Sequence, residues 1–140
     1  MAMDEDAHKR TVKRYPRAVA AGDLDVIEEI CTESVVNHTP LTDVAGHAAV
    51  KAYESRIHEA LPGFDVSFED LLVEGDRVAM RLEISGVHRG PMMDIEPTGI
   101  AVTFANSVFH RMEDGLIAER WVQPDIFSIL VQLGAIDRPG

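Results

Sequence analysis

Two alternating apolar and polar runs flank a Glu113-Asp114-Gly115 turn, and this hairpin constrains the chain more than any other stretch. Alternation with a period of two is the mark of half-buried strands. One face of the first arm reads Phe104, Asn106, Val108, His110, Met112, and one face of the second reads Ile117, Glu119, Trp121, Gln123, Asp125. A dry core does not accept unpartnered amides, carboxylates and imidazoles, because each buried polar group without a partner costs kilocalories. A lined pocket uses them. A two-residue type I′ turn at Asp114-Gly115 sets His110 opposite Glu119, Val108 opposite Trp121 and Asn106 opposite Gln123. A three-residue loop with Gly115 as a bulge shifts the pairing by one and turns Trp121 and Asp125 to the other face. Both registers are compatible with the sequence.

Ahead of the hairpin the pattern is helical. Val12, Tyr15 and Val19 recur at helical spacing between Ala7 and Ala21, with Pro16 predicting a kink or break near Arg14 to Pro16. Residues 1 to 6 are expected to fray. Gly22 ends this helix, Asp23 is placed to cap a second from Leu24 to about Cys31, and an extended piece follows over Ser34 to Pro40. A third helix over His47 to Leu61 carries Val50, Tyr53, Ile57 and Leu61 on one face, stopped by Pro62-Gly63. Strands are expected at Phe64 to Phe68 and around Val78 to Ile84, with a turn at Glu74-Gly75-Asp76 and a long Gly- and Pro-punctuated loop from His88 to Gly99. A short helix follows Asp125. Helices first and an antiparallel meander after indicate an α+β domain, with the helices on one face of a curved sheet and one domain over residues 1–140.

The formal net charge of −11 is spread along the chain. It argues against nucleic acid or an anionic membrane as partner, since both repel such a surface. No run approaches the ~18 apolar residues of a membrane span, and the acidic, polar start does not read as a signal peptide, so a cytoplasmic location is expected. Lysine occurs only at positions 9, 13 and 51; such a surface suits a high-salt cytoplasm, and an ordinary acidic bacterial protein is the alternative. Cys31 has no disulfide partner and reads as a packed thiol rather than a nucleophile. The six histidines show no close pair at ligand spacing and there is no cysteine cluster, so no metal is expected. A glycine-rich phosphate loop and a nucleophile elbow are likewise missing from the sequence.

Several short motifs fall in a familiar order. Ala21-Gly22-Asp23-Leu24-Asp25, Val35-Val36-Asn37-His38, Glu74-Gly75-Asp76-Arg77-Val78-Ala79, His88-Arg89-Gly90-Pro91 with Pro97-Thr98-Gly99, Glu113-Asp114-Gly115 with Glu119-Arg120-Trp121, and Asp125 with Gln132-Leu133-Gly134 resemble the SnoaL-like polyketide cyclase group of the NTF2-like superfamily over nearly the whole chain. Pro16 departs from the group's usual pattern. The resemblance implies a cone-shaped α+β barrel with an apolar pocket, a homodimer formed through the sheet, and neither metal nor organic cofactor. It further implies an aspartate near the end of the last strand acting as acid and base in an aldol ring closure, assisted by a histidine. Asp125 stands at the aspartate position, and His110 is matched to the histidine.

The residues leave two roles open for Asp125, proton carrier in a pocket or N-cap of the terminal helix. His110 is either an assistant in proton transfer or a core histidine paired with a neighbour such as Glu119. His38 is placed at a pocket mouth or in a self-bonded turn, Trp121 as a pocket wall or core packing residue, Met92 and Met93 as an adaptable lid or equally as exposed loop or dimer contacts, and His88 in a structural role. Tyr53, Asn106 and Gln123 complete the expected lining. Two functions follow. One is a cofactor-independent enzyme of cyclase or isomerase type acting on a small apolar carbonyl compound. The other is a non-catalytic binding or dimeric scaffold protein with the same cavity, pairing through the sheet face that bears Phe109 and Ala105.

Overall fold

The computed structural model describes residues 5–139. The expectation of a frayed start therefore falls outside the described residues for positions 1–4, while Glu5 and Asp6 already belong to the first helix. That helix, α1 (Glu5–Ala21), runs through Pro16 as one element rather than breaking there. The proline forfeits one backbone bond, but Val12, Tyr15, Pro16 and Val19 are all buried, and this apolar face holds the helix in place. Helix α2 (Val26–Ile30) is shorter than the pattern predicts, because Cys31 already opens a strand. Its capping position is held by Asp25, not Asp23, and the Asp25 carboxylate makes no cap bond but reaches Lys51 Nζ at 2.7 Å. Helix α3 (His47–Ala60) follows the expected span closely.

Six strands form one sheet: β1 (Cys31–His38), β2 (Asp43–Ala45), β3 (Asp65–Glu74), β4 (Arg77–Val87), β5 (Ala101–Glu113) and β6 (Leu116–Pro124), in the spatial order β2-β1-β6-β5-β4-β3. All neighbours are antiparallel except β1 and β6. Helix α4 (Ile126–Gln132) closes the fold. The concave face of the sheet and the inward faces of α1 and α3 share one core, in which Val12, Tyr15, Ile27, Val35, Val50, Val78, Leu82, Val108 and Ile117 are almost fully buried. No helix among the described residues is long and apolar enough to cross a membrane.

The hairpin combines the turn of the first expected alternative with the pairing, shifted by one, of the second. Asp114 and Gly115 both have positive φ, 51° and 80°, as a two-residue type I′ turn requires. Leu116 pairs with Glu113 and Ile117 with Met112, but Arg111 then pairs with Glu119, leaving Ala118 as an extra residue on β6. From there the sides of β6 exchange. His110 faces Arg120, Val108 faces Val122 and Asn106 faces Pro124, while Trp121 pairs with Phe109 and Gln123 with Ser107. The face of β5 reads as expected; the expected inward face of β6 is corrected from Glu119, Trp121 and Gln123 to Arg120, Val122 and Pro124.

Candidate functional site

A cavity of about 150 Å³ opens between the concave side of the sheet and helices α1, α3 and α4. Met80, Leu82, Ile84, Phe104 and Val108 supply an apolar wall from β4 and β5, and Phe64 and Leu61 close its far end. At the other side, where α1, α3, β1 and β6 converge, the wall turns polar: Tyr15, Asn37, Glu54 and Arg120 meet there. All four are buried.

The local reasons for this convergence are separate. Tyr15 lies on the buried stripe of α1 with Val12 and Val19. Glu54 follows Val50 by one helical turn, so it occupies the inward face of α3 despite its charge. Asn37 is the partner of Arg120 in the parallel β1–β6 ladder, and the Ala118 bulge turns Arg120 inward to meet it.

Asn37 Nδ2 donates to the Tyr15 hydroxyl oxygen at 2.9 Å, which leaves the phenolic proton for the neighbouring Glu54 carboxylate. The Arg120 guanidinium lies over the Tyr15 ring, 3.6 Å from its centre, and its Nη1 is 3.6 Å from Glu54 Oε2. That ionic contact exceeds hydrogen-bond length, and the buried Arg120 Nε has no partner. Burial raises the Glu54 pKa above the ordinary carboxylate range, against the opposing pull of Arg120 and the Tyr15 hydroxyl. Burial, reinforced by the Glu54 charge, lifts Tyr15 well above a free phenol. The group therefore holds a carboxylate readily protonated, a fixed cation and a hydroxyl donor, side by side at an apolar wall. Such a set is able to take a proton from a bound molecule and to stabilise the oxyanion left behind.

The expected site residues are distributed unevenly. Tyr53, Asn106 and Met92 line the cavity, together with Met93. Asn106 Oδ1 is buried without a partner, and the Tyr53 hydroxyl interacts with Thr39 at the mouth. His110 is 0% exposed and lies outside the lining, with Nδ1 bonded to Val78 O at 3.1 Å. Nδ1 therefore carries the proton, because a carbonyl only accepts, and burial together with Arg120 pushes the imidazole down to about 3. Asp125 is exposed, and its Oδ1 accepts from Ser128 N at 3.0 Å as the cap of α4; its neighbours Pro124 and Ile126 line the cavity instead.

His38, Trp121 and Gln123 belong to the outer face of the sheet. There the His38 ring stacks on Trp121 at 5.4 Å and bonds Asp43 Oδ1 at 2.9 Å and Glu119 Oε2 at 2.6 Å. Glu119 first and Asp43 second raise the His38 pKa. Gln123 is exposed. Sequence reasoning missed Tyr15, Asn37, Glu54 and Arg120 as a set. The one legible signal was Glu54, a carboxylate on the stripe that Val50, Tyr53, Ile57 and Leu61 define.

The family profile described as SnoaL-like polyketide cyclase matches residues 9–133. The chain belongs to the SnoaL-like polyketide cyclase family. Its fold is NTF2-like, as in the solved structures it is similar to. A SnoaL-like protein from Jannaschia sp. CCS1 shares 22% identity at a TM-score of 0.86, with 94% of each chain covered. TsrD from Streptomyces laurentii shares 24% identity at a TM-score of 0.87, covering 96% of this chain and 99% of its own. IdmH from Streptomyces antibioticus shares 25% identity at a TM-score of 0.78, covering 91% of this chain and 98% of its own. No curated protein sequence matches this SnoaL-like chain.

Proposed function

We propose that this SnoaL-like protein is a cofactor-independent acid/base enzyme of cyclase or isomerase type, acting on a small apolar carbonyl compound held in the cavity. The observation that carries the reading is Glu54, a carboxylate 6% exposed that lines an apolar chamber beside a cation. In this reading Glu54 removes the proton next to the carbonyl, and the Arg120 guanidinium with the Tyr15 hydroxyl holds the enolate oxygen. Asn37 orients Tyr15 through the 2.9 Å bond. The charge balance favours the step: as Glu54 becomes neutral, the positive charge of Arg120 passes from the carboxylate to the new oxyanion. Protonated Glu54 then returns the proton at another carbon for an isomerisation, or to the alkoxide formed when the enolate closes a ring.

Asp125, the position the family resemblance favours, serves in this reading to fix α4 and with it Ile126 at the cavity wall. His110 backs Arg120 as a neutral imidazole. The test uses phenylacetone in D2O, with deuterium uptake at the α-carbon followed by NMR. The protein is expected to accelerate exchange over buffer, and Glu54→Gln to lose roughly 10²–10⁴-fold of that acceleration. Asp125→Asn is expected to retain it. Exchange abolished by Asp125→Asn and retained by Glu54→Gln overturns the assignment.

Binding without turnover is the second reading, favoured by the mutual engagement of Asn37, Tyr15, Glu54 and Arg120, which neutralises the buried charges without any substrate. It predicts a saturable apolar ligand recovered unchanged. Either activity is compatible with a homodimer formed through the outer sheet face, where Leu72, Ala79, Phe109 and Trp121 are cross-strand neighbours in one row. Leu72 and Phe109 are 69% and 57% exposed there.

A further inference from the structure

We propose that the cavity also takes up apolar carboxylic acids, bound as their anions on Arg120 while a proton is placed on Glu54. The inference rests on the reading that this cavity is the ligand site, and it adds a ligand class that carries its own charge.

The geometry supplies three reasons. First, the pair is loose. Arg120 Nη1 stands 3.6 Å from Glu54 Oε2, and the buried Nε has no partner at all, so the guanidinium keeps hydrogen-bonding capacity that its own counter-ion does not use. Arg is also the side chain whose planar fork matches a carboxylate with two parallel bonds. Second, the chamber tolerates one negative charge and not two. Among the described residues Arg120 is the single cation lining the cavity, and Glu54 the single carboxylate lining it. A second anion entering beside ionised Glu54 would leave a net negative charge in an apolar enclosure, which neutralisation of Glu54 relieves. Third, the remaining space fits an apolar body. A volume near 150 Å³ is about what a benzene-sized ring occupies, and the walls beyond the polar corner are Met80, Leu82, Phe104 and Val108.

The other groups facing Glu54 and Arg120 hold their charge state fixed near neutrality. Tyr15 from α1 is raised well above a free phenol, and Tyr53 on α3 is raised by its burial. The Cys31 thiol of β1 is pushed up to about 12, and His110 of β5 is pushed down to about 3. Glu54 is thus the group whose protonation answers a change of ligand charge. Uptake of an ionised acid then consumes one proton from solvent: carboxylate in, proton onto Glu54 Oε, no covalent change.

The experiment is calorimetric titration of the intact protein with sodium benzoate and with methyl benzoate, at about pH 6 and pH 8, in two buffers of different ionisation heat. Benzoate is expected to bind with uptake of about one proton and to weaken towards tenfold per pH unit above the Glu54 pKa. Glu54→Gln, which mimics the protonated carboxyl, is expected to bind benzoate with no proton uptake and at equal affinity at both pH values. Arg120→Lys is expected to weaken benzoate at least tenfold while leaving methyl benzoate within about twofold. Methyl benzoate bound more tightly than benzoate at pH 6, or benzoate bound without proton uptake by the unmodified protein, overturns the inference and leaves the carbonyl enzyme standing. Failure of both compounds to bind overturns the inference together with the cavity reading itself.

Discussion

Arg120 lies over Tyr15, its guanidinium carbon 3.6 Å from the ring centre, so that strand β6 and helix α1 are joined by a cation on a π face inside the molecule. The same guanidinium balances Glu54 from α3, and one side chain thereby ties both helices to the sheet. Removing one member of a buried pair leaves the other uncompensated, which costs about 3–5 kcal/mol.

Arg120→Met is therefore expected to lose on the order of 3 kcal/mol in urea denaturation at pH 8. The loss should shrink as pH falls, because a carboxyl whose folded-state pKa is raised gains stability by binding its proton before the unfolded chain does. Adding Glu54→Gln to Arg120→Met should recover part of the loss at pH 8. A penalty that stays the same from pH 5 to pH 8 would contradict an ionised Glu54 in the unmodified protein.

Asp125→Ala removes an acceptor that Ser128 N uses at 3.0 Å. The expected cost is about 1 kcal/mol, seen as a lower midpoint on thermal denaturation, with Asp125→Asn close to unmodified because asparagine caps equally well. A loss of several kcal/mol for either change would mean that the carboxylate has partners beyond the cap.

His110 makes the protein sensitive to acid through a neutral group. Its folded pKa of about 3 lies below the value of 6.5 for a free histidine, so between these limits the unfolded chain binds a proton that the folded chain refuses. Above that window the residue contributes nothing to pH dependence; within it stability falls with falling pH, by up to about 1.4 kcal/mol per unit. Histidine NMR should find the ring neutral, protonated on Nδ1, down to about pH 4, and His110→Gln should flatten the acid limb of the stability profile. A ring that titrates near 6.5 would refute the buried setting.

Phe109 stands beside Trp121 on the outer face of the sheet, more than half exposed. Phe109→Asp is expected to convert a dimer into a monomer by sedimentation at micromolar concentration, with the thermal midpoint changed only through mass action. An unmodified protein that sediments as a monomer there would remove the dimer proposal.

Much of the architecture was legible in the chain. Helix α3 announced itself through Val50, Tyr53, Ile57 and Leu61 and the Pro62-Gly63 stop, and Asp114-Gly115 marked the turn while leaving its length open between two and three residues. The inward face of β5 followed from simple alternation. What alternation was unable to report was Ala118, an ordinary small residue whose extra place in β6 depends on pairing with strands far away in sequence. One unseen residue sent Trp121 and Gln123 outwards and brought Arg120 in, so the polar corner of the cavity escaped notice with it. Glu54 was passed over for a related reason: a carboxylate on a buried stripe reads as an error until its partner is known to face it.

The bulge at Ala118 has a consequence for how such a chamber changes over time. Deleting that one residue would straighten the strand and keep the pairs beyond it, Glu119 against Arg111 and Arg120 against His110, whereas giving Ala118 a place in the ladder would swing an indole into the hollow and cast the arginine out to solvent. The chemistry inside is thus written in whether one small residue is skipped or paired, and that choice separates an ionic interior from an aromatic one.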